Sequence, residues 1–449
     1  MTSHRLAAPV RTMINGFNPA TTGDLPPKMR EKVQRRDNVL GPGYRLFYEE
    51  PVEIVRGRGA HLFDADGVDY LDVYNNVPAV GHCHPRVVEA VSRQAATLNT
   101  NTRYVQDSLA AYSERLLATF PPELDRVTFA CTGSEANDLA MRVARYATGQ
   151  EGVIVTSNAY HGLTAQIAAM SPSLGAGSPL GPHVRVIDPP DALRFGEDDI
   201  ASHMRTQVRA AVADLQRHGF GIAAFIADSI FSSDGIFADP RGVLAPIIEE
   251  IHSVGGLYIA DEVQPGFVRT GDNWWGFQRH GIVPDIVTLG KPMGNGIPIS
   301  AAVFRGGVTE EFGANIRYFN TFGGNSVSIA AAAAVLDVIE DEQLAAHSRA
   351  VGELLRSGLQ DLLGGSDRVA EVRGAGLFIG VDLVVGGGSL VPDGELAARI
   401  VNEMRARHVL ISASGAEGNV LKVRPPMAFD RADADRFLTT VADVGNLVL

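Results

Sequence analysis

Between about residues 85 and 300 the chain alternates short apolar runs with segments of helical periodicity, and no other pattern in it restricts the fold as much. The runs are RVTFACT (126–132), GVIVTS (152–157), HVRVID (183–188), IAAFIAD (222–228), LYIAD (257–261) and DIVTLG (285–290). Each is too short for a helix and largely uninterrupted, as a strand covered on both faces must be. Strands that alternate with helices predict an α/β architecture, a mostly parallel sheet with helices on both faces. Side chains that carry chemistry then collect at the strand ends.

The flanking regions follow other patterns. The charged run KMREKVQRRD (28–37) reads as a solvated helix. Residues 52–76 are broken by Arg-Gly-Arg-Gly and Asp-Ala-Asp-Gly and read as a small antiparallel meander. After about residue 340, three amphipathic segments, AHSRAVGELLRSGLQDLL, ELAARIVNEMRARHV and ADADRFLTTVADVGNLV, surround strand patterns in VRGAGLFIGVDLV and NVLKVRPP. The predicted division is an N-terminal segment with part of a small domain (1–84), a large domain (85–335) and a C-terminal small domain (336–449).

At 449 residues the chain exceeds one ordinary domain, and 45% hydrophobic with 20% charged residues suits large cores. A net charge of −13 argues against nucleic acid or an anionic membrane as partner, since either needs a basic face. Cys83 and Cys131 are too few for a disulfide framework, and residues 1–17 lack the apolar core of a signal peptide, so a cytoplasmic setting is expected. The richest apolar stretch, beginning at Ser328, ends in acids and reads as a buried helix, so no membrane span is expected. No metal site is read from the sequence.

Asp261-Glu262 ends one apolar run and Gly290-Lys291-Pro292 ends the next. The stretch between them is long enough for a parallel crossover, which brings both ends to one edge of the sheet. A lysine amine attacks an aldehyde only when neutral and held in place, and a carboxylate on a neighbouring strand end keeps a pyridine nitrogen protonated. Thr132-Gly133-Ser134-Glu135 follows a strand and opens a helix, where free N–H groups favour an anion and Gly133 allows close approach. The same residues equally satisfy a capping box of Thr132 with Glu135. In Asn158-Ala159-Tyr160-His161-Gly162, the Tyr160 ring either packs in the core or stacks on a planar ligand.

Residues 258–299, with Asp261-Glu262-Val263-Gln264 and Gly290-Lys291-Pro292, resemble the class III (omega-type) aminotransferases, pyridoxal 5'-phosphate enzymes of fold type I. The resemblance extends almost throughout 41–340. It implies the fold type I architecture: a large domain around a mostly parallel seven-stranded sheet, with a smaller α+β domain from both termini. It also implies Lys291 in Schiff-base linkage with the cofactor, Asp261 on the pyridine nitrogen and Gln264 on the ring hydroxyl. Gly133 and Ser134 are then matched to the cofactor phosphate, and Tyr160 with His161 to the ring. Tyr318-Phe319-Asn320-Thr321-Phe322-Gly323-Gly324-Asn325 matches a segment whose threonine reaches the other subunit's cofactor phosphate, so Thr321 implies a homodimer.

Two positions depart from the aminotransferases that use 2-oxoglutarate. Those carry Glu-Pro after the strand that precedes the aspartate strand, and an arginine three residues ahead of a Pro-Pro. Here Asp228-Ser229 and the lysine of Lys422-Val423-Arg424-Pro425-Pro426 stand instead, and lysine lacks the planar fork that grips a carboxylate. Longer words are similar to a narrower branch, the ethanolamine-phosphate and phosphohydroxylysine phospho-lyases. They are Tyr44-Arg45-Leu46-Phe47, Asn75-Asn76-Val77, Gly81-His82-Cys83-His84-Pro85, Leu98-Asn99-Thr100-Asn101-Thr102-Arg103-Tyr104 and Gly290-Lys291-Pro292-Met293-Gly294-Asn295-Gly296. The branch implies β-elimination of phosphate, with release of ammonia, from a small phosphorylated primary amine such as ethanolamine phosphate. The alternative is amino transfer between an amine or amino sugar and a keto acid such as pyruvate, glyoxylate or 2-oxoglutarate. Arg103 is the leading candidate for the substrate phosphate, followed by Tyr44 and Lys422.

Overall fold

The computed structural model describes residues 13–196 and 200–448; residues 1–12, part of the stretch read for a signal peptide, lie outside the described residues. The charged run is a helix, Pro27–Leu40, with Val33 its buried residue. The meander follows as β1 (Ile54–Arg58), β2 (His61–Asp64) and β3 (Asp69–Asp72), paired antiparallel in that order.

The central sheet holds seven strands: β4 (Leu124–Ala130), β5 (Gly152–Thr156), β6 (Val184–Ile187), β7 (Ile222–Asp228), β8 (Leu257–Asp261), β9 (Ile286–Leu289) and β10 (Ser300–Arg305). Their spatial order is β4-β10-β9-β8-β7-β5-β6. The six predicted runs supply all but β10, which lies antiparallel to both β4 and β9. Its run SAAVFR offers little hydrophobic contrast, yet Ser300 to Val303 are fully buried there.

Period-two alternation sorts the strand residues onto two faces. Ala224, Ile226 and Ile259 pack with Leu139 and Val143 of the helix Gly133–Thr148. Phe225, Ala227, Tyr258 and Ala260 face the opposite layer, with Met204, Val208 and Leu215 of the helix Ile200–Arg217. Burying an aliphatic or aromatic side chain yields roughly 1.5–3 kcal/mol, against ~1–2 kcal/mol to order each backbone residue. Such continuous apolar strands are therefore stable only between two helical layers. The apolar stretch after Ser328 belongs to a buried helix, Ser326–Asp341. No helix among the described residues is long and apolar enough to cross a membrane.

The chain's end returns to its beginning. Strands β11 (Val369–Ala375), β12 (Phe378–Gly386), β13 (Ser389–Pro392), β15 (Ser412–Ser414) and β16 (Val420–Val423) form a second antiparallel sheet, while β14 (Val409–Leu410) pairs parallel with β3. The smaller α+β part is thus assembled from both termini.

Candidate active site

Register places three strand ends side by side: Asp228 of β7 pairs with Asp261 of β8, and Asp261 with Thr288 of β9, two residues before Gly290-Lys291. Beyond these ends lies a cavity of about 330 Å³. Gly133, Ser134, Tyr160, His161, Asp261, Gln264 and Lys291 all line it, together with Asp228. One wall of the parallel sheet has therefore gathered every cofactor residue expected within a single subunit.

Asp261 is buried at the base. Its Oδ2 accepts from Asn137 Nδ2 at 3.0 Å and bonds His161 Nδ1 at 2.8 Å, while Oδ1 accepts the Val263 N–H at 3.1 Å. Thr288 Oγ1 donates to Asn137 Oδ1 at 2.6 Å, which fixes the amide with Nδ2 toward Asp261 and the His161 carbonyl. His161 Nε2 is buried without a hydrogen-bond partner among the described residues. The neighbouring Glu262 accepts from Ser229 Oγ at 2.5 Å and from the Gly276 and Phe277 N–H groups at 2.7 and 2.8 Å.

Lys291 is half-buried, and no hydrogen bond or ion pair engages its amine among the described residues. Burial holds its pKa below the ordinary lysine value, and the Arg424 charge adds to this, against the pull of Asp261 and Asp228. The neutral, nucleophilic form is thereby enriched. Burial pushes the Asp228 carboxyl up, although the Ser232 hydroxyl donates to it and the Ile230 N–H does so at 2.9 Å. Gln264 Nε2 donates to Ser232 Oγ at 2.7 Å, and Gln264 Oε1 accepts from the Arg424 guanidinium. Both ends of this amide, matched above to a ring hydroxyl, thus have protein partners in a chain from Asp228 to Arg424.

The helix start serves two purposes. Thr132 and Glu135 form the capping box, with Glu135 N–H donating to Thr132 Oγ1 at 3.2 Å, and Gly133 and Ser134 still line the cavity. A Cβ on Gly162 would stand 2.4 Å from Ser134 Oγ, and its φ of +139° is a conformation that L side chains rarely adopt. Glycine there lets the Tyr160 loop close against the helix start, where Leu163 N–H donates to Ser134 Oγ at 3.0 Å. Burial, then Asp261, raises the Tyr160 phenol above its usual pKa.

Other predicted residues sit elsewhere. Thr321 is exposed and does not line the cavity. Arg103 is exposed, its guanidinium 3.7 Å over the Phe319 ring. Tyr44 is 68% exposed. Lys422 is buried on β16, its amine 5.5 Å above the Phe378 ring. Asn137, Thr288 and Ser232 were not singled out from sequence. The usable signal for Asn137 was a polar residue within the apolar stripe of its helix, and for Thr288 a hydroxyl inside an apolar strand.

An amine of enriched neutrality, a fixed carboxylate, a helix start with close-approach glycines and an aromatic ring suit a flat, anionic aldehyde cofactor with a ring nitrogen. His161, which lines the cavity, keeps one further buried polar atom, Nε2, without a partner among the described residues. Known proteins agree. The family described as aminotransferase class-III matches residues 47–444. An alanine–glyoxylate aminotransferase 2-like protein of Drosophila melanogaster is 39% identical over 421 residues, 91% of this chain and 85% of its own length. Ethanolamine-phosphate phospho-lyase homolog 1 of Caenorhabditis elegans is 36% identical over 450 residues, 96% of each chain. A solved phospholyase from Arthrobacter, in complex with phosphoethanolamine, has a TM-score of 0.89 and 42% identity, covering 92% of this chain and 99% of its own. The chain belongs to the class-III aminotransferase family, and its cofactor is pyridoxal 5'-phosphate.

Proposed function

We propose that this protein is a phospho-lyase that releases phosphate and ammonia from a phosphorylated primary amine such as ethanolamine phosphate. When bound, the cofactor withdraws electrons from the carbon that bears the substrate nitrogen. Lys291 takes the proton from that carbon. The bond between the neighbouring carbon and the phosphate oxygen breaks, phosphate leaves with the electron pair, and water converts the two-carbon remainder to aldehyde and ammonia. The observation that carries the reading is at and just after β16: Lys422 stands where the 2-oxoglutarate-using aminotransferases carry an arginine, and Gln264 and the Tyr74 carbonyl hold Arg424. No free guanidinium fork is presented to a carboxylate. The Arthrobacter phospholyase and the nematode phospho-lyase homolog support it.

Around that chemistry we assign Gly133 and Ser134 to the cofactor phosphate, Tyr160 with His161 to the ring, and Arg103, Tyr44 and Lys422 as candidates for the substrate phosphate. Thr321 would reach the cofactor of the partner in a homodimer. Its support is the exposed apolar surface around it, with Phe319, Phe322, Tyr104 and Val105. We also propose a cytoplasmic setting, for which the support is the sparing use of cysteine, Cys83 and Cys131 alone.

The test is release of phosphate and ammonia from O-phosphoethanolamine by holoenzyme without a keto acid. Equal release of both is expected. No release, with amino transfer to pyruvate, glyoxylate or 2-oxoglutarate instead, would favour the alternative reading of a class III aminotransferase.

A further inference from the structure

We infer that Lys422, with Arg424 beside it, forms the anion subsite that takes the phosphate group of the substrate. The identity of the anion rests on the phospho-lyase reading; the cationic site itself does not. Lys422 lies in β16 and Arg424 is the first residue after the strand, two positions on, and their side chains meet on one face. Both cations lie over one ring, with Lys422 Nζ 5.5 Å and the Arg424 guanidinium carbon 5.4 Å from the Phe378 centroid. Arg424 donates to Gln264, a residue of the cavity wall, which sets this face at the edge of the cavity.

Lys422 is 8% exposed, and its amine makes no hydrogen bond or ion pair among the described residues. An ammonium taken out of water without an acceptor is strongly disfavoured, so Lys422 leans to its neutral form on its own and is held charged when an anion sits beside it. Nothing among the described residues supplies one. Arg424 and Lys291 repel Lys422, and Asp228, the carboxylate that attracts it, is already bonded by the Ser232 hydroxyl and the Ile230 N–H. Burial together with these cations holds the amine well below the ordinary lysine pKa. A phosphate provides several acceptor oxygens at once and relieves the repulsion between Lys422 and Arg424. Arg103, by contrast, is exposed over Phe319 and leaves no such deficit.

The experiment is calorimetric binding of inorganic phosphate to holoenzyme, with Lys422→Met, Lys422→Arg and Arg103→Ala alongside the wild type. Lys422→Met is expected to weaken phosphate binding by at least about tenfold, the value of one charge-assisted hydrogen bond. It should raise the KM for O-phosphoethanolamine by a similar factor and also unfold at a higher temperature, because a thioether on Phe378 replaces an unpaired amine. Lys422→Arg should bind phosphate nearly as the wild type does. Phosphate affinity within about twofold of wild type in Lys422→Met would overturn the subsite, and loss in Arg103→Ala alone would move it to Arg103. Should the wild type release no phosphate from O-phosphoethanolamine while Lys422→Met still loses phosphate binding, the phospho-lyase reading fails and the subsite stands. Should release occur and binding be unaffected by Lys422→Met, only the subsite fails.

Discussion

His161 Nδ1 and Asp261 Oδ2 are 2.8 Å apart, a buried hydrogen bond that ties the loop after β5 to the end of β8. The same oxygen accepts from Asn137, and the other from the Val263 N–H, so three segments set the direction of one carboxylate. We propose that Asp261 meets the cofactor's ring nitrogen, and a carboxylate with that task gains from being held before the ring arrives.

His161→Phe keeps a flat ring and removes the donor. The bond is charge-assisted, worth about 1.5–3 kcal/mol, so cofactor affinity should fall roughly 10- to 100-fold. Absorbance titration of the apoenzyme with pyridoxal 5'-phosphate measures it, and an unchanged dissociation constant would mean that Asn137 and Val263 suffice to orient Asp261.

Thr288→Val tests the next link. The hydroxyl donates to Asn137 Oδ1 at 2.6 Å, and its loss leaves that buried oxygen unsatisfied. The cost is about 1–3 kcal/mol of stability, read as a lower midpoint in urea. A smaller loss of cofactor affinity than in His161→Phe is expected, because Thr288 acts on Asp261 through Asn137. If affinity falls as far as in His161→Phe, Thr288 has a more direct part than the hydrogen bonds give it.

How much of this was readable from sequence depends on whether a residue's role is local. β5, β7, β8 and β9 announced themselves because they are apolar on both faces, and the edge strands β4 and β6 by shorter apolar runs, whereas β10 opens with a serine and two alanines and gives no such contrast. Asp261 and Lys291 stood out because each closes an apolar strand, a purely local signal. Asn137 and Thr288 matter only because a helix start and two strand ends converge, and no window of sequence contains that convergence. Gln264 illustrates the same limit, since its partners Ser232 and Arg424 come from a loop and from the residue just after β16.

Lys291→Ala should lose roughly 10²- to 10⁴-fold in turnover, the ordinary worth of a positioned general base, or more if its covalent role dominates. A second readout is independent of turnover. Borohydride reduction of wild-type holoenzyme should add the cofactor's mass to the peptide containing Lys291, and Lys291→Ala should gain none. Labelling of another lysine in the wild type would move the linkage away from Lys291.

Acid sensitivity should arise at His280, away from the cavity. This imidazole is 3% exposed, bonds the Ser229 carbonyl through Nε2 at 2.8 Å and leaves Nδ1 buried without a partner. Burial lowers its pKa from 6.5 to about 4. The folded protein therefore binds fewer protons here than the unfolded chain between those values. The stability from keeping His280 neutral is fully present above 6.5 and is lost as pH falls toward 4. Between pH 6.5 and about 5 the loss is roughly 1.5 kcal/mol. The consequence reaches the site, because His280 ends the turn whose Gly276 and Phe277 N–H groups hold Glu262, next to Asp261. His280→Gln places a non-titrating amide that can still donate to the Ser229 carbonyl. Urea midpoints measured at both pH values should converge in this variant relative to wild type. An undiminished pH dependence would assign the acid sensitivity to another group.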